Sequence, residues 1–346
     1  MAMSPTPSHL AFVASVILVV FGMTASQALS RALKETSMQG RHEQWMARYG
    51  RQYTDSAEKQ RRFMIFKQSV EFIEKFNSAG NQSYTLSLNQ FADRTEEEFM
   101  ASHTGYRMYP RQVWYEPTPF GYESVTDVPS SLDWRERGAV TSVKNQDQCG
   151  SCWAFSAVAS MEGIIKLKTN KLISLSEQQL IDCNRYEMSR GCEGGWMDDA
   201  FNYVLQNQGL SSLETYPYRG YDGYCNIQRA ASPSAKISGY EDVPSNNETA
   251  LLNAVAHQPV SVIVDASGYY FKHYTSGIFS GPCGTKQNHA VAIVGYGADE
   301  NGIKYWLIKN SWSENWGENG YMRLLRDVDD PKGFCGIAIR PSYPIT

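Results

Sequence analysis

The chain has 346 residues, 42% hydrophobic and 20% charged, with a formal net charge of −4. That length gives room for two or more domains of about 100–200 residues each. The balance excludes a disordered chain and a polytopic membrane protein, and the acidic sign argues against nucleic-acid binding, whose mark is a basic stripe.

Residues 10–25, Leu-Ala-Phe-Val-Ala-Ser-Val-Ile-Leu-Val-Val-Phe-Gly-Met-Thr-Ala, form an apolar run, and Ser26-Gln27-Ala28 follows as a small-x-small site. The run is shorter than the ~20 residues a membrane span needs. Residues 1–28 therefore read as an export signal, although no Lys or Arg precedes the run. Export fits the seven cysteines, Cys149, Cys152, Cys183, Cys192, Cys225, Cys283 and Cys335, because secreted chains form disulfides. The count is odd, so one sulfur is left over, either bridging to another molecule or free and reactive.

Residues 29–127 carry 13 basic and 13 acidic side chains, and residues 128–346 carry 19 and 23. Charge and cysteine content thus both change near residue 128, after a stretch at 106–129 rich in Pro, Gly, Tyr and Thr that reads as a linker. In the first segment Glu58, Arg62, Phe66, Ser69, Ile73 and Asn77 fall on one stripe about 100° wide, which predicts a helix. Glu58 and Arg62 are spaced for an ion pair. Residues 84–89 alternate as a strand with one buried face.

Beyond residue 128 the pattern changes halfway. Residues 151–168 read as a buried helix. Ser176 and Gln179 are spaced as a capping box. Residues 197–208 read as a further helix, with Asp198 and Asp199 in its first turn and Gly209 as its stop. From about residue 236 strands dominate, at 260–264, 290–294 and 305–308. A helical half and a β half would meet at one interface, where clefts form.

Cys149-Gly150-Ser151-Cys152 opens the 151–168 helix and has three readings. A zinc site would need a second CxxC or a close His pair, and neither occurs. A redox pair leaves five other cysteines as an odd set. The third reading pairs Cys149 elsewhere and leaves Cys152 as a nucleophile, its thiolate favoured by the helix N-terminus and by a neighbouring imidazolium. Gln146, six residues upstream, could join the Cys152 backbone N–H in an oxyanion hole. Of the histidines, His257 ends a helix at 248–256 and His273 lies among aromatics with no oriented partner. His289 heads one strand and Asn310 ends the next, so antiparallel pairing would let Asn310 orient the imidazole, with Trp312 shielding the bond.

These residues carry a resemblance to the papain family of cysteine endopeptidases, most of all its secreted plant members. Its motifs stand here as Gln146 with Cys149-Gly150-Ser151-Cys152-Trp153-Ala154-Phe155, Gly191-Cys192-Glu193-Gly194-Gly195, Asn288-His289-Ala290-Val291 with Gly295-Tyr296-Gly297, and Asn310-Ser311-Trp312 with Trp316-Gly317-Glu318. The family's His and Asn lie about 130–150 residues after its cysteine; here they lie 137 and 158 on, the excess suggesting an insertion at 298–304. The 58–77 stripe resembles the family's prodomain helix, with Ser69 where Asn is usual, and Ser87, Asn89, Phe91 and Asp93 resemble the strand motif that follows. The match spans roughly residues 40–346. Asp147 and Ser313 stand where the family usually has glycine.

The resemblance implies an α+β fold in two lobes, a helical left lobe and an antiparallel β-barrel-like right lobe with a cleft between, after an N-terminal helical inhibitory prodomain. It implies a signal at 1–28, a propeptide at 29–127 and a peptidase domain at 128–346. Cys152 would be the nucleophile, His289 the base and acid, Asn310 the orienter and Gln146 the oxyanion donor. Gly194, Gly195, Trp196, Met197, Ile263, Ala290, Trp312 and Arg340 would line the substrate site, with Arg340 turned outward to leave an apolar pocket. Disulfides Cys149–Cys192, Cys183–Cys225 and Cys283–Cys335 would leave Cys152 free. The expected partners are polypeptide substrates, the chain's own propeptide and cystatin-type inhibitors, with no cofactor, metal or nucleic acid and a monomeric state. Protonation of groups such as Asp93 and Glu58 would loosen the propeptide in acid. Asn81 and Asn247 head sequons. The chain ends Tyr343-Pro344-Ile345-Thr346, without a retention signal, so the expected destination is the secretory pathway, a vacuole or lysosome-like compartment, or the extracellular space. The alternatives are a CxxC oxidoreductase and an inactive protease-like storage or binding protein.

Overall fold

The computed structural model describes residues 36–105, 119–184 and 189–346; the export signal and most of the linker fall outside them. The chain divides into two compact units, one up to Glu71 and one from Phe72 onward. In the first, helix α1 (36–48) faces the start of α2 (Ser56–Ser78). Their core is aromatic: the His42 ring lies 4.9 Å from Phe66 and 5.5 Å from Phe63, and Trp45 lies 5.4 Å from Phe66. The expected Glu58–Arg62 pair is present at 2.7 Å.

In the second unit Asn77 clasps strand β1 (Tyr84–Leu86), donating to the Leu86 carbonyl and accepting its N–H. The strand is shorter than the alternation at 84–89 suggests, because Asn89 instead turns back to accept the Phe91 N–H. Helix α3 (Glu96–His103) follows with a complete capping box between Thr95 and Glu98. After a short β2 (Leu132–Asp133) come α4 (Cys152–Thr169), α5 (Glu177–Cys183), α6 (Met197–Gln206) and α7 (Ile227–Ala230). Helix α4 is buried on nearly every face, which suits a run this apolar. Ser176 caps α5 at Gln179 N, but the box is only half made. The Gln179 side chain goes to Tyr203 and Ser211, and the Ser176 N–H is already taken by the Ser211 carbonyl. Past α6 it is Gln208 that turns left-handed, one residue before the expected stop.

The β half comprises β3 (Gly239–Asp242), α8 (Glu248–Val255), β4 (Val260–Val264), α9 (Tyr269–His273), β5 (Tyr274–Phe279), β6 (His289–Ala298), β7 (Lys304–Lys309), β8 (Tyr321–Leu325) and β9 (Ser342–Ile345). The sheet order is β1-β5-β8-β7-β6-β4-β9-β3, with β2 also on β6. One pair, β5 with β8, is parallel, so the sheet is mixed and not wholly antiparallel, and its path is open. The β6–β7 hairpin and the turn after it supply the crossover that a parallel pair requires. One apolar core lies within the sheet and a second around α4, α5 and α6, and Ile263 and Ala290 from the sheet reach into the helical one. Those are the two lobes.

Behind their seam lies a buried charge cluster. Lys144 Nζ contacts Glu162 of α4 at 2.8 Å and Glu177 of α5 at 2.6 Å. Lys309, at the end of β7, donates to Thr141 Oγ1, which donates to Glu162. Burial works to lower the Lys144 pKa, yet the two carboxylates outweigh it and hold the ammonium charged. Burial does win at Lys309, lowered to about 8. Burial pushes both carboxyls up; the two ammonium groups outweigh it at Glu162, while at Glu177 it prevails. Removing one partner from such a group strands a charge, at a cost of about 3–5 kcal/mol. Lys144→Met should therefore lose about that much stability, read as a lower urea midpoint at unchanged slope.

Candidate active site

Helix α4 begins at Cys152, so the thiol stands at the head of a helix whose first N–H groups have no internal partner. Its neighbour in the CxxC is committed elsewhere. Disulfides join Cys149 to Cys192, Cys183 to Cys225 and Cys283 to Cys335, and Cys152 is the free cysteine among the described residues. The CxxC is therefore not a redox pair.

His289 opens β6 and Asn310 directly follows β7, and these strands pair antiparallel, with Ala292 opposite Lys309. Head meets tail, and His289 Nε2 lies 2.8 Å from Asn310 Oδ1. That oxygen also accepts the Ser311 N–H at 2.7 Å, which fixes the amide orientation. An amide oxygen only accepts, so Nε2 carries the ring proton and the neutral ring's Nδ1 keeps its lone pair. Nδ1 is buried with no hydrogen-bond partner among the described residues. Trp312 stacks on the imidazole at 4.3 Å and 25°.

Gln146 is fully buried, its Nε2 donating to the Cys149 carbonyl at 2.9 Å and its Oε1 accepting from Ser311 Oγ at 2.6 Å. Ser311 thus braces both amides, and its carbonyl accepts the Gln146 N–H. The spacing arguments missed it; its place between Asn310 and Trp312 was the available signal. Trp196, Met197, Ile263 and Ala290 gather in the helical lobe's core, all buried. Arg340 is only partly buried and lies over the Trp196 ring, 4.9 Å from its centroid. Asp147 and Ser313 both have left-handed backbone, φ 53° and 63°. That conformation explains why glycine is usual at these positions, and Asp is among the residues that tolerate it.

The end of the first segment occupies this site. The His103 carbonyl accepts from Gln146 Nε2 at 3.3 Å and from Trp312 Nε1 at 3.2 Å. The Gly105 carbonyl accepts the Gly195 N–H at 3.1 Å. Gly105 lies so close to Gly150 that a Cβ would overlap its carbonyl, so only glycine fits. Phe91 and Phe99 pack edge-on against Trp312, and the His103 ring packs against Phe91. Lys272, buried in α9, reaches across to the Arg94 carbonyl at 2.9 Å, while Asn89 donates to the Lys272 carbonyl.

Burial decides the protonation states. It raises the Cys152 thiol to about 11, only partly opposed by backbone hydrogen bonding at Ala290, Gly105, Trp153 and its own amide. It lowers His289 to about 4, against the pull of Asn310. The covered site therefore holds a neutral thiol and a neutral imidazole, not the ion pair that the helix head alone would favour.

The comparisons with known proteins agree with this geometry. A family model described as papain family cysteine protease matches residues 128–345, and one described as cathepsin propeptide inhibitor domain matches residues 42–99. Senescence-specific cysteine protease SAG39 of Oryza sativa subsp. indica is 52% identical over 312 residues, 90% of this chain and 91% of the relative. Fruit bromelain of Ananas comosus is 48% identical over 329 residues, 94% of this chain and 92% of the relative. Among solved structures, a recombinant stem bromelain precursor matches with a TM-score of 0.82 at 49% identity, covering 89% of this chain and 99% of that one. The proform of a ragweed pollen cysteine protease allergen matches with a TM-score of 0.82 at 39% identity, covering 90% and 95%.

With the thiol raised to about 11, on the order of one molecule in a thousand is ionised at pH 8. Iodoacetamide should modify Cys152 of the intact chain about 100-fold more slowly at pH 8 than in denaturant. The rate should climb about tenfold per pH unit up to pH 10. A rate already flat above pH 6 would mean that the ion pair persists under the cover.

Proposed function

Since the chain belongs to the papain family of cysteine proteases and carries that family's inhibitory propeptide, we propose that it hydrolyses peptide bonds with Cys152, His289, Asn310 and Gln146 in the roles their positions suggest. The observation that carries this is the imidazole whose Nε2 is tied to Asn310 while Nδ1 keeps a free lone pair. Nδ1 takes the Cys152 proton, and the sulfur attacks the scissile carbonyl carbon. The resulting oxyanion accepts from Gln146 Nε2 and the Cys152 N–H. The intermediate collapses with proton transfer from His289 to the leaving amine, giving a thioester. Water, deprotonated by His289, then attacks that carbonyl and releases the acid and the thiol.

Gly194 and Gly195 present backbone to the substrate. Trp196, Met197, Ile263 and Ala290 offer an apolar pocket to the side chain two residues before the cleaved bond. Arg340 lies over the Trp196 ring, which supports an apolar preference over an acidic one.

The propeptide is residues 29–127, after a signal at 1–28, and it is cut away before Val128 or Asp127. It inhibits by filling the cleft, where Lys272 stands among the charges of Glu96, Asp93 and Glu98, and its helix is braced where Glu58 pairs with Arg61 and Arg62. Cystatin-type inhibitors would compete for the vacated cleft, and the enzyme acts as a monomer. It enters the secretory pathway toward a vacuole or the extracellular space; no helix among the described residues is long and apolar enough to cross a membrane. Asn81 and Asn247 are both exposed and open to glycosylation.

A thiol-directed epoxide should label the matured chain once, at Cys152, and labelling and hydrolysis should both vanish in Cys152→Ala. Among substrates differing only at the position two before the cut, Leu and Phe should exceed Glu by about tenfold or more in kcat/KM. A preference for Glu would turn Arg340 inward and overturn the apolar pocket.

A further inference from the structure

Residues 119–125 make contacts of a different kind from those in the cleft. They coil into two turns, Glu123 N–H to the Phe120 carbonyl and Val125 N–H to the Tyr122 carbonyl, each at 3.3 Å. Tyr122 stacks on His257 at 4.4 Å and 19°, leans on Tyr343 at 5.3 Å and donates its hydroxyl to Gln258 Oε1 at 3.2 Å. Asn253 Nδ2 donates to the Val125 carbonyl at 3.0 Å, and Glu241 Oε2 accepts the Gly121 N–H at 2.8 Å. Glu241 is held in turn by the Tyr343 hydroxyl.

The receiving side chains come from β3, α8 with its C-terminal end, and β9: His257 and Tyr343 share the Tyr122 ring, while Glu241, Asn253 and Gln258 each meet a different polar atom of the segment. The fit is selective. A Cβ on residue 121 would stand 3.0 Å from Glu241 Oε2, so a larger residue there would push the carboxylate back by a few tenths of an ångström. The ring after it is read at its face by His257 and at its hydroxyl by Gln258. None of these five residues belongs to the cleft around Cys152.

We propose that Glu241, Asn253, His257, Gln258 and Tyr343 form a peptide-binding exosite whose ligand is the aromatic-Gly-Tyr turn of residues 120–125. In the zymogen the site is filled in cis; after cleavage before Val128 the same segment binds in trans. The inference rests on the maturation reading above. Its consequence is that cutting the chain does not by itself discharge the propeptide. Two footholds, one in the cleft and one here, share a single ligand, and each raises the local concentration of the other.

The full chain is allowed to mature, and the cleft is then closed with a thiol-directed epoxide, so that it neither cuts nor binds peptide. A fluorescein-labelled peptide of residues 119–127 is titrated in and followed by anisotropy. Saturable binding is expected, weakened at least about tenfold by Tyr122→Ala in the peptide and by Glu241→Gln or His257→Ala in the enzyme. Thermal melting checks that both enzyme variants are folded. No binding up to about 1 mM, or binding indifferent to all three changes, overturns the exosite. If the chain fails to mature, the maturation reading is at fault. Hydrogen exchange on the full-length Cys152→Ala chain then decides independently: amides 121–125 should exchange faster in Glu241→Gln and His257→Ala, and unchanged rates overturn the proposal.

Discussion

Charges buried together at a seam set the terms for the rest of this molecule. Lys144 spans Glu162 on α4 and Glu177 on α5, and Lys309 joins through Thr141 from the end of β7. Helix α4 carries Cys152 at its head, and Lys309 directly precedes Asn310. The same network therefore locates the thiol and the group that orients the imidazole, although they arise from different lobes. A small cavity of about 20 Å³ lies among Lys144, Glu162, Glu177, Lys309 and Asn310. Phe155, Val291 and Ala292 line its other side, and it is about the size of one water. An apolar seam of equal volume could hold the lobes as firmly; a charged one also specifies which residues meet.

Inhibition in this zymogen works by using up donors. Gln146 Nε2, Trp312 Nε1 and the Gly195 N–H are spent on the carbonyls of His103 and Gly105. Exclusion of water then does the rest, since a dry site favours neutral forms of thiol and imidazole. Steric cover and chemical silence thus have one cause.

Much of the site was legible in the amino-acid order because its parts lie at the ends of strongly patterned elements. Cys152 heads an apolar helix, and His289 and Asn310 bound two strands whose adjacency follows from a short connection. The α2 stripe was equally plain, because its period is local. Other features were not legible for physical reasons. The half-made cap at Ser176 depends on Ser211 taking the N–H first, a contact between residues far apart in the chain. The left-handed backbone at Asp147 and Ser313 is imposed by tertiary structure on residues with no strong preference for it. The parallel β5–β8 pair could not be told from periodicity, which is the same in either direction. Residues 119–125 lacked any period and so read as a linker, yet their specificity lies in single atoms, a glycine N–H and a tyrosine hydroxyl.

The committed state of Cys149 has a consequence for redox chemistry. Three disulfides form in this fold while one sulfur stays single, and Cys152 has no neighbour left to resolve it once oxidised. A sulfenic acid formed there in the open enzyme could be reversed only by a small thiol from solution, and would otherwise run on toward the irreversible sulfinic form. In this structure that sulfur is buried and held protonated, the least oxidisable condition a cysteine has. A buried, protonated Cys152 is thereby carried intact through the oxidising conditions that build the three disulfides.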